Sequence, residues 1–375
     1  MENMEIIKFN NVFKNKKILI TGHTGFKGSW LTTWLLNLGA DVYGISKDIP
    51  TNPSLFEALN LKNQITDYII DIRNYEEIFK TINIIKPDFV FHLAAQAIVS
   101  ESYKNPLETI TTNPLGTVNI LEALRNVNHK CTAIIITSDK CYFNIEWAWG
   151  YKETDRLGGK DIYSSSKAAA EILINSYFHS FFNNENSNVK IATARAGNVI
   201  GGGDWAVNRI IPDCIKAWNN NQTVEIRSPE ATRPWQHVLE PLSGYLLLAE
   251  KLFSINELNG ESFNFGPNSS NSYTVIKLIE DLSKSWEINK ELKPYKITDN
   301  IKFHEAGLLK LNCDKSLMYL KWLPTLNYNQ TVEFTGSWYA NYYKTKNDVL
   351  EFTLNQIKNY ENLASQNNSQ WLSIV

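Results

Sequence analysis

Three glycines near the amino terminus constrain the fold of this chain more than any other feature. Gly22, Gly25 and Gly28 stand at i, i+3 and i+6, directly after the apolar run 17–21 and before the helical pattern of 26–38. A tight strand-to-helix turn brings bare backbone N–H groups against a pyrophosphate at a helix N-terminus, where a Cβ would block the approach. Such glycines also occur in ordinary turns, but the strand-turn-helix context predicts a dinucleotide site.

Apolar runs alternate with amphipathic stretches through the first half of the chain. They predict strands at 17–21, 41–46, 68–70, 88–93, 133–138 and 190–195, and helices at 26–38, 75–85, 115–127 and 163–182. Because parallel strands need crossover helices, we expect an α/β fold with a Rossmann-type doubly wound parallel sheet.

After residue 197 the alternation gives way to glycine, proline and arginine clusters. This change predicts a smaller, mostly C-terminal α/β substrate-binding lobe, with ligands in the cleft between the two parts. We expect the Rossmann domain to span 1–196 plus about 236–258, and the lobe about 197–235 plus 259–345. Residues 346–375 are polar and predict a surface tail, either solvated or covering a neighbouring subunit.

The charge balance limits the partners of the chain. Its 37 Lys and Arg against 39 Asp and Glu give a net charge of −2, so no global positive field attracts nucleic acid or an anionic membrane. The four cysteines show neither C-x-x-C nor metal-ligand spacing, which predicts reduced thiols and no metal site. The start has no targeting pattern and no apolar run approaches the roughly 20 residues of a membrane span, so we expect a cytoplasmic protein.

The identity of the dinucleotide is less sharply specified. An acidic residue is expected at the end of the second strand to hold the ribose 2′-hydroxyl, but Ser46 and Lys47 stand there, with Asp48 two positions late. Asp48 reaching the ribose would select NAD, whereas Lys47 accepting a 2′-phosphate would select NADP. A plain surface loop is the third interpretation. We favour NAD.

A tyrosine is followed four residues later by lysine in four places, at 43/47, 163/167, 273/277 and 342/346. Only Tyr163 and Lys167 open a long predicted helix after the fifth strand, and side chains at i and i+4 share one helix face. There Lys167 can lower the phenol pKa from its usual value of about 10 and let Tyr163 act as a base.

A second group of reactive side chains, Thr137-Ser138-Asp139-Lys140, lies at the carboxyl end of a predicted strand. Elsewhere a hydroxyl, an acid and an amine in sequence would indicate a capped turn with a salt bridge. Open α/β sheets place their ligands at the carboxyl ends of strands, so here we interpret the group as catalytic.

With the glycine turn, the string HLAAQ at 92–96, Ser138, Tyr163 and Lys167 in this order, most of the chain resembles the extended short-chain dehydrogenase/reductase superfamily. The strings TGHTGFKGSWL, TSDKCY, RAGNVIGGGDW and TRPWQHVLEPLSGY are similar to the CDP-sugar branch of its nucleotide-sugar 4,6-dehydratases.

The resemblance implies a redox-neutral dehydration of CDP-glucose with a retained NAD, on a route to deoxysugars. Tyr163 would deprotonate the 4-hydroxyl as hydride leaves C4. The 4-ketone would acidify the C5 proton, the C6 hydroxyl would depart as water, and the hydride would return to C6. The product would be CDP-4-keto-6-deoxy-glucose.

By the same resemblance, Ser138 would hydrogen-bond the 4-oxygen, Asp139 would protonate the leaving hydroxyl and Lys140 would remove the C5 proton. The related dTDP-glucose dehydratases carry Thr-Asp-Glu at this triplet, so the amine is a departure that needs an explanation. A lysine is a base only when neutral, and its pKa must fall by about 2–3 units from about 10.4. Partial burial and nearby Lys167 can supply that fall.

The remaining site residues follow from the resemblance. Those for the cofactor are Gly22, Thr24, Gly25, Phe26, Lys27, Gly28, Asp48, Asp71, Ile72, Leu93, Ala94, Ala95, Gln96, Thr137, Tyr163 and Lys167. Those for the nucleotide sugar are Asn198, Arg209, Arg227, Arg233 and His237. Guanidinium forks suit diphosphate oxygens, although Arg209 and Arg227 are equally compatible with surface charge.

Three other functions are compatible with these residues. A nucleotide-sugar 4-epimerase shares Ser138, Tyr163 and Lys167, but it has no use for an acid and an amine aimed at C6 and C5. A dehydratase for another nucleotide-linked hexose is the second, and a non-catalytic nicotinamide sensor is the third. The superfamily often pairs two helices from each subunit, so helices 115–127 and 163–182 predict the interface of a homodimer, which in turn can form a homotetramer.

Overall fold

The structure is a computed structural model and describes residues 6–184, 186–268, 272–286, 288, 291–298 and 308–374. The first half contains β1 (Ile6–Lys8), β2 (Lys17–Thr21), α1 (Phe26–Asn37), β3 (Asp41–Ser46), α2 (Leu55–Ala58), β4 (Thr66–Ile69), α3 (Tyr75–Ile85), β5 (Phe89–His92), α4 (Val99–Lys104), α5 (Pro106–Ile110), α6 (Gly116–Arg125), β6 (Cys131–Ile136), α7 (Ile162–Tyr177) and β7 (Val189–Arg195). The second half contains β8 (Val199–Ile200), α8 (Ile210–Asn219), β9 (Val224–Ile226), β10 (Thr232–Arg233), β11 (Gln236–His237), α9 (Leu239–Ser254), β12 (Ser262–Asn264), β13 (Tyr273–Thr274), α10 (Val275–Ser285), β14 (Tyr295–Ile297), α11 (Tyr328–Ala340), α12 (Val349–Gln366) and β15 (Leu372–Ile374).

Seven parallel strands form the central sheet, in the order β12-β7-β6-β5-β2-β3-β4. From β2 the chain first builds outward through β3 and β4, and then returns to place β5 on the other side of β2. The crossovers on either side of this switch diverge, which leaves a crevice at the carboxyl ends of β2 and β5. The Rossmann-type α/β fold predicted from the sequence is confirmed.

Helices cover both faces of the sheet because successive strand side chains point in opposite directions. Ile18 and Ile20 of β2 pack in one core cluster with Trp30, Trp34 and much of α9. Leu19, between them, packs in a second cluster with side chains of α3, α6 and α7. Burial on both faces explains why β5 and β6 read as continuous apolar runs.

The strands after β7 are shorter, and most of them are separate from the central sheet. Strand β9 pairs in parallel with β14, and β10 pairs antiparallel with β13. Strand β12 instead joins the central sheet beside β7, although the sequence places residues from 259 onward in the substrate lobe. No helix among the described residues is both long and apolar enough to cross a bilayer.

The structure differs from the predicted polar tail. Residues after 346 form α12, whose Ile357, Tyr360 and Ala364 are fully buried, and β15, which pairs with β1. Trp371 stacks on Phe9 with ring centroids 4.8 Å apart. A narrow apolar stripe at helical spacing is enough to dock a helix whose overall composition is polar.

Candidate active site

The glycine turn has the shape expected for a phosphate-binding loop. Gly22 has a left-handed φ of +76°, and a Cβ on it would lie 2.7 Å from the backbone nitrogen of Ala94. A Cβ on Gly28 would lie 2.1 Å from the Gly22 carbonyl oxygen. Gly25, at the N-cap of α1, differs because only the Gly22 oxygen, at 3.4 Å, lies near its added Cβ. Packing therefore requires two of the glycines, and the third leaves space at the N-terminus of α1.

A cleft of about 1280 Å³ opens at the carboxyl ends of the strands. All of the cofactor and catalytic residues expected from the sequence line it, and so do Asn198, Arg209, Arg227 and Arg233. No three His, Cys, Asp or Glu side chains in the described ranges come together as a metal site.

The prediction that His237 contacts the substrate is wrong. It is fully buried in β11, between the rings of Trp30 and Phe334, and does not line the cleft. Burial lowers its pKa to about 3, so it stays a neutral core side chain. The sequence pattern around it does not reveal that β11 turns this ring inward.

Ser138, Asp139 and Tyr163 form the centre of the cleft. The Ser138 hydroxyl donates to Oδ1 of Asp139 at 2.9 Å and is hydrogen-bonded to Tyr163. Asp139 is buried directly under Gly197, where an added Cβ would lie 1.8 Å from its Oδ2. Asn198 donates to the same Oδ2 at 3.4 Å, so it positions the acid as well as lining the substrate cleft.

Burial controls the ionisation of both members of the Tyr-x-x-x-Lys pair. It raises the pKa of Tyr163 to about 12, and the hydrogen bond with Ser138 is the largest influence in the other direction. Burial lowers the pKa of Lys167 to about 8, partly offset by Glu171. In the ligand-free protein burial outweighs this hydrogen bond, so the pKa of the phenol lies above its usual value.

Cations line the floor of the cleft. Lys27 is half-buried there, and desolvation, followed by the nearby charge of Arg209, lowers its pKa to about 8. Arg209 forms an ion pair of 2.8 Å with Asp204, which raises the pKa of Arg209. Asp204 was not predicted, and its only sequence signal is its place in the string GGGDW. This concentration of positive charge suits a diphosphate.

The residues that bear on the choice between NAD and NADP lie in the part of the cleft next to the end of β3. Lys47 donates to Glu108 at 2.9 Å and also lies 3.8 Å from Asp48, and the hydrogen bond with Glu108 raises the Lys47 pKa. Asp71 is held by Arg73. Because carboxylates already surround Lys47, a 2′-phosphate would meet repulsion there, whereas a free 2′-hydroxyl would find acceptors.

A buried ion pair, which was not predicted from the sequence, lies behind the catalytic residues. Arg195 makes two hydrogen bonds of 2.8 Å to Glu171, one helical turn beyond Lys167. Glu171 also accepts from the Thr137 hydroxyl, and Arg195 donates to the Tyr142 hydroxyl at 2.7 Å. The pair thus joins α7, β7 and the end of β6. The sequence signal was weak because the two charges are 24 positions apart.

Comparison with known proteins agrees with this geometry. A profile of the family described as GDP-mannose 4,6 dehydratase matches residues 19–335. CDP-glucose 4,6-dehydratase of Salmonella typhimurium is 43% identical over 359 residues, which cover 93% of this chain and 97% of that protein. CDP-paratose 2-epimerase of Salmonella typhi is 27% identical over 297 residues, 71% of this chain and 84% of that protein.

Solved structures show the same fold at lower identity. UDP-glucose 4-epimerase of Thermotoga maritima superposes with a TM-score of 0.75 at 21% identity, covering 88% of this chain and all of that one. dTDP-glucose 4,6-dehydratase of Bacillus anthracis, in complex with NAD, gives 0.71 at 20%, with 87% and 97% covered. With the profile matching most of its length, the chain belongs to the GDP-mannose 4,6 dehydratase family.

Proposed function

We propose that the protein is a CDP-glucose 4,6-dehydratase. The observation that carries the proposal is the triplet Ser138-Asp139-Lys140, which lines the cleft just after β6. The Ser138 hydroxyl is hydrogen-bonded to Tyr163 and to the buried Asp139. The triplet puts a hydroxyl, an acid and an amine in the cleft that also contains the phosphate-binding turn. The 43% identity to the Salmonella dehydratase supports CDP-glucose as the substrate.

The cleft fits NAD as the resident cofactor. The free space over Gly25 at the N-terminus of α1 suits the pyrophosphate, and the carboxylates around Lys47 suit a ribose without a 2′-phosphate. Asp71 and Ile72 line the part expected to hold the adenine, and Tyr163 and Lys167 the part expected to hold the nicotinamide ribose. NAD, when bound, supplies a ring that takes hydride from C4 of the sugar and returns it to C6.

The protein's own residues then move the protons. Tyr163 accepts the proton of the 4-hydroxyl, while Ser138 donates a hydrogen bond to the 4-oxygen. The resulting ketone acidifies the C5–H bond, and Lys140 accepts that proton. Asp139 protonates the C6 hydroxyl, which leaves as water while a C5–C6 double bond forms. Once hydride has been added back at C6, the protonated Lys140, which exchanges with solvent, returns a proton to C5 and completes the 4-keto-6-deoxy product. Each step uses a side chain that lines the cleft.

The test is to incubate the purified protein in D₂O with CDP-, dTDP-, GDP- and UDP-glucose, without added cofactor, and to record mass spectra. We expect CDP-glucose alone to lose one water and to gain one solvent deuterium at C5. Reaction of a different nucleotide sugar would contradict the substrate. An unchanged mass together with an epimerised sugar, which chromatography of the same samples detects, would indicate a 4-epimerase. No reaction even with added NAD would contradict an enzymatic role.

Replacing Lys140 tests its role as the C5 base. Lys140→Met keeps the length of the side chain but removes the proton acceptor. We expect loss of water and C5 deuterium incorporation to slow by about 10²-fold, the lower range for a general base. Lys152→Met changes an exposed lysine of the same region and serves as the control. Normal deuterium incorporation in Lys140→Met would show that another group is the base.

We also propose that the protein forms a homodimer through α5, α6 and α7. Large apolar side chains are exposed on α5, namely Leu107, which is 76% exposed, and Ile110, and on the neighbouring α7, where Ile172 is exposed. A cluster of this kind on a folded protein indicates an interface, and a second copy offers the same surface in return.

Charges on this surface should separate the subunits. We expect the double variant Leu107→Glu/Ile172→Glu to elute as a monomer where the unmodified protein elutes as a dimer or tetramer, because apposed carboxylates in an apolar interface are repelled and desolvated. Light scattering after size-exclusion chromatography measures the mass. Ile84→Glu changes an equally exposed isoleucine on α3 and should leave the mass unchanged. A monomeric unmodified protein would contradict the proposal.

A further inference from the structure

The cleft continues beyond the catalytic residues along the start of α8. Arg209 is the residue before this helix, and Asp213 lies in its first turn, four residues or about 6 Å further along the axis. Arg227 directly follows β9 and also lines the cleft. If the sugar lies at Tyr163 and the diphosphate at Arg209, the base of the nucleotide must lie in this outer part, beside Asp213 and Arg227.

Asp213 is a half-buried carboxylate that lines this part of the cleft and forms no salt bridge within 4 Å of any described residue. Its side chain accepts the backbone N–H of Asn208. Arg227 and Lys216 act on it only at longer range, and so does Asp204 with the opposite sign. Burial outweighs these charges and raises the Asp213 pKa to about 6. The fold keeps a partly desolvated acceptor here without a strong partner of its own.

The pyrimidine bases differ in the group at C4, which such an acceptor can contact. Cytosine carries an amino group at C4, which donates hydrogen bonds, whereas uracil and thymine carry a carbonyl oxygen there. A carboxylate pairs well with the amino group of cytosine and repels the carbonyl oxygen of the other two bases. A partly desolvated carboxylate therefore both attracts the first base and rejects the others.

We propose that Asp213 accepts a hydrogen bond from the 4-amino group of cytosine and selects CDP-sugars over UDP- and dTDP-sugars. This inference rests on the proposed function, since it assigns the base-recognition residue of the same cleft. Asp213 is a specificity residue, remote from the reacting sugar.

The experiment measures the dissociation constants of CDP and UDP by titration calorimetry for the full-length protein. We expect the unmodified protein to bind CDP at least about tenfold more tightly than UDP. Asp213→Asn, whose amide can rotate to donate to the uracil oxygen, should reduce this ratio by at least about tenfold, through weaker CDP binding and stronger UDP binding. Asp213→Ala should reduce it as well, through weaker CDP binding alone.

Glu225→Gln is the matched control, because Glu225 also lines the cleft, on β9, but is solvent-exposed and bound to Lys296 at 2.8 Å. For this variant the ratio of the UDP to the CDP dissociation constant should stay within about twofold of the value for the unmodified protein, as expected for an exposed ion pair. Circular dichroism establishes that each variant is folded. An unchanged ratio in folded Asp213→Asn or Asp213→Ala, or no preference for CDP in the unmodified protein, would overturn the assignment.

Binding of CDP and UDP needs no turnover, so this test is independent of the reaction. Preference for CDP that depends on Asp213 in a protein that does not dehydrate CDP-glucose would support the assignment and contradict the proposed function. Turnover of CDP-glucose, combined with a preference for CDP over UDP that does not depend on Asp213, would support the proposed function and contradict the assignment.

Discussion

Tyr163→Phe should lower the turnover of CDP-glucose by about 10³-fold, within the range for loss of a general base. The variant loses only the hydroxyl that is hydrogen-bonded to Ser138, and the buried ring keeps its place in the core. Without that oxygen the proton of the 4-hydroxyl has no acceptor as C4 is oxidised. Steady-state assay of water loss measures the effect, and binding of CDP should remain nearly unchanged.

Tyr43→Phe provides the control because Tyr43 has the same sequence relation to Lys47 as Tyr163 has to Lys167. Its hydroxyl donates to Asp41 at the exposed start of β3. This variant should keep full activity. If Tyr163→Phe retained a tenth or more of the normal rate, another group would be the base for C4 oxidation.

Arg195→Met should lower the free energy of unfolding by about 3–5 kcal/mol, because it leaves the buried Glu171 carboxylate without its cation. The two hydrogen bonds between Arg195 and Glu171 are lost together with the one to Tyr142. Urea denaturation followed by tryptophan fluorescence measures the change. Adding Glu171→Gln to this variant should restore part of the stability, since the uncompensated charge is then removed.

Arg125→Met is the comparison on the surface. Arg125 pairs with Glu122 three residues earlier on α6, and this exposed pair should contribute less than about 1 kcal/mol. A cost of less than 1 kcal/mol for Arg195→Met as well would mean that water or other groups already compensate Glu171.

Hydrophobic periodicity was enough to predict six of the seven strands of the central sheet, all but β12. Strand β3 and helix α3 have the bounds expected from the pattern, and α1 differs by one residue. These predictions succeed because burial on both faces of a parallel sheet requires long apolar runs, separated by helices of fixed period. The prediction of a polar surface tail was wrong for the converse reason. Asn and Gln make the overall composition of α12 polar, so its narrow apolar stripe was not recognised.

The sequence by itself determined the Rossmann fold, the glycine turn and most of the site residues that converge on the cleft. Each is a local pattern, such as a tight turn or the end of a strand, and the parallel sheet brings these patterns to one edge. Only the tertiary structure decided that His237 is buried away from the cleft, that burial raises the pKa of Tyr163, and that Arg195 meets Glu171 behind them. These properties depend on burial and on contacts between residues far apart in the chain, and desolvation cannot be read from the residue types alone.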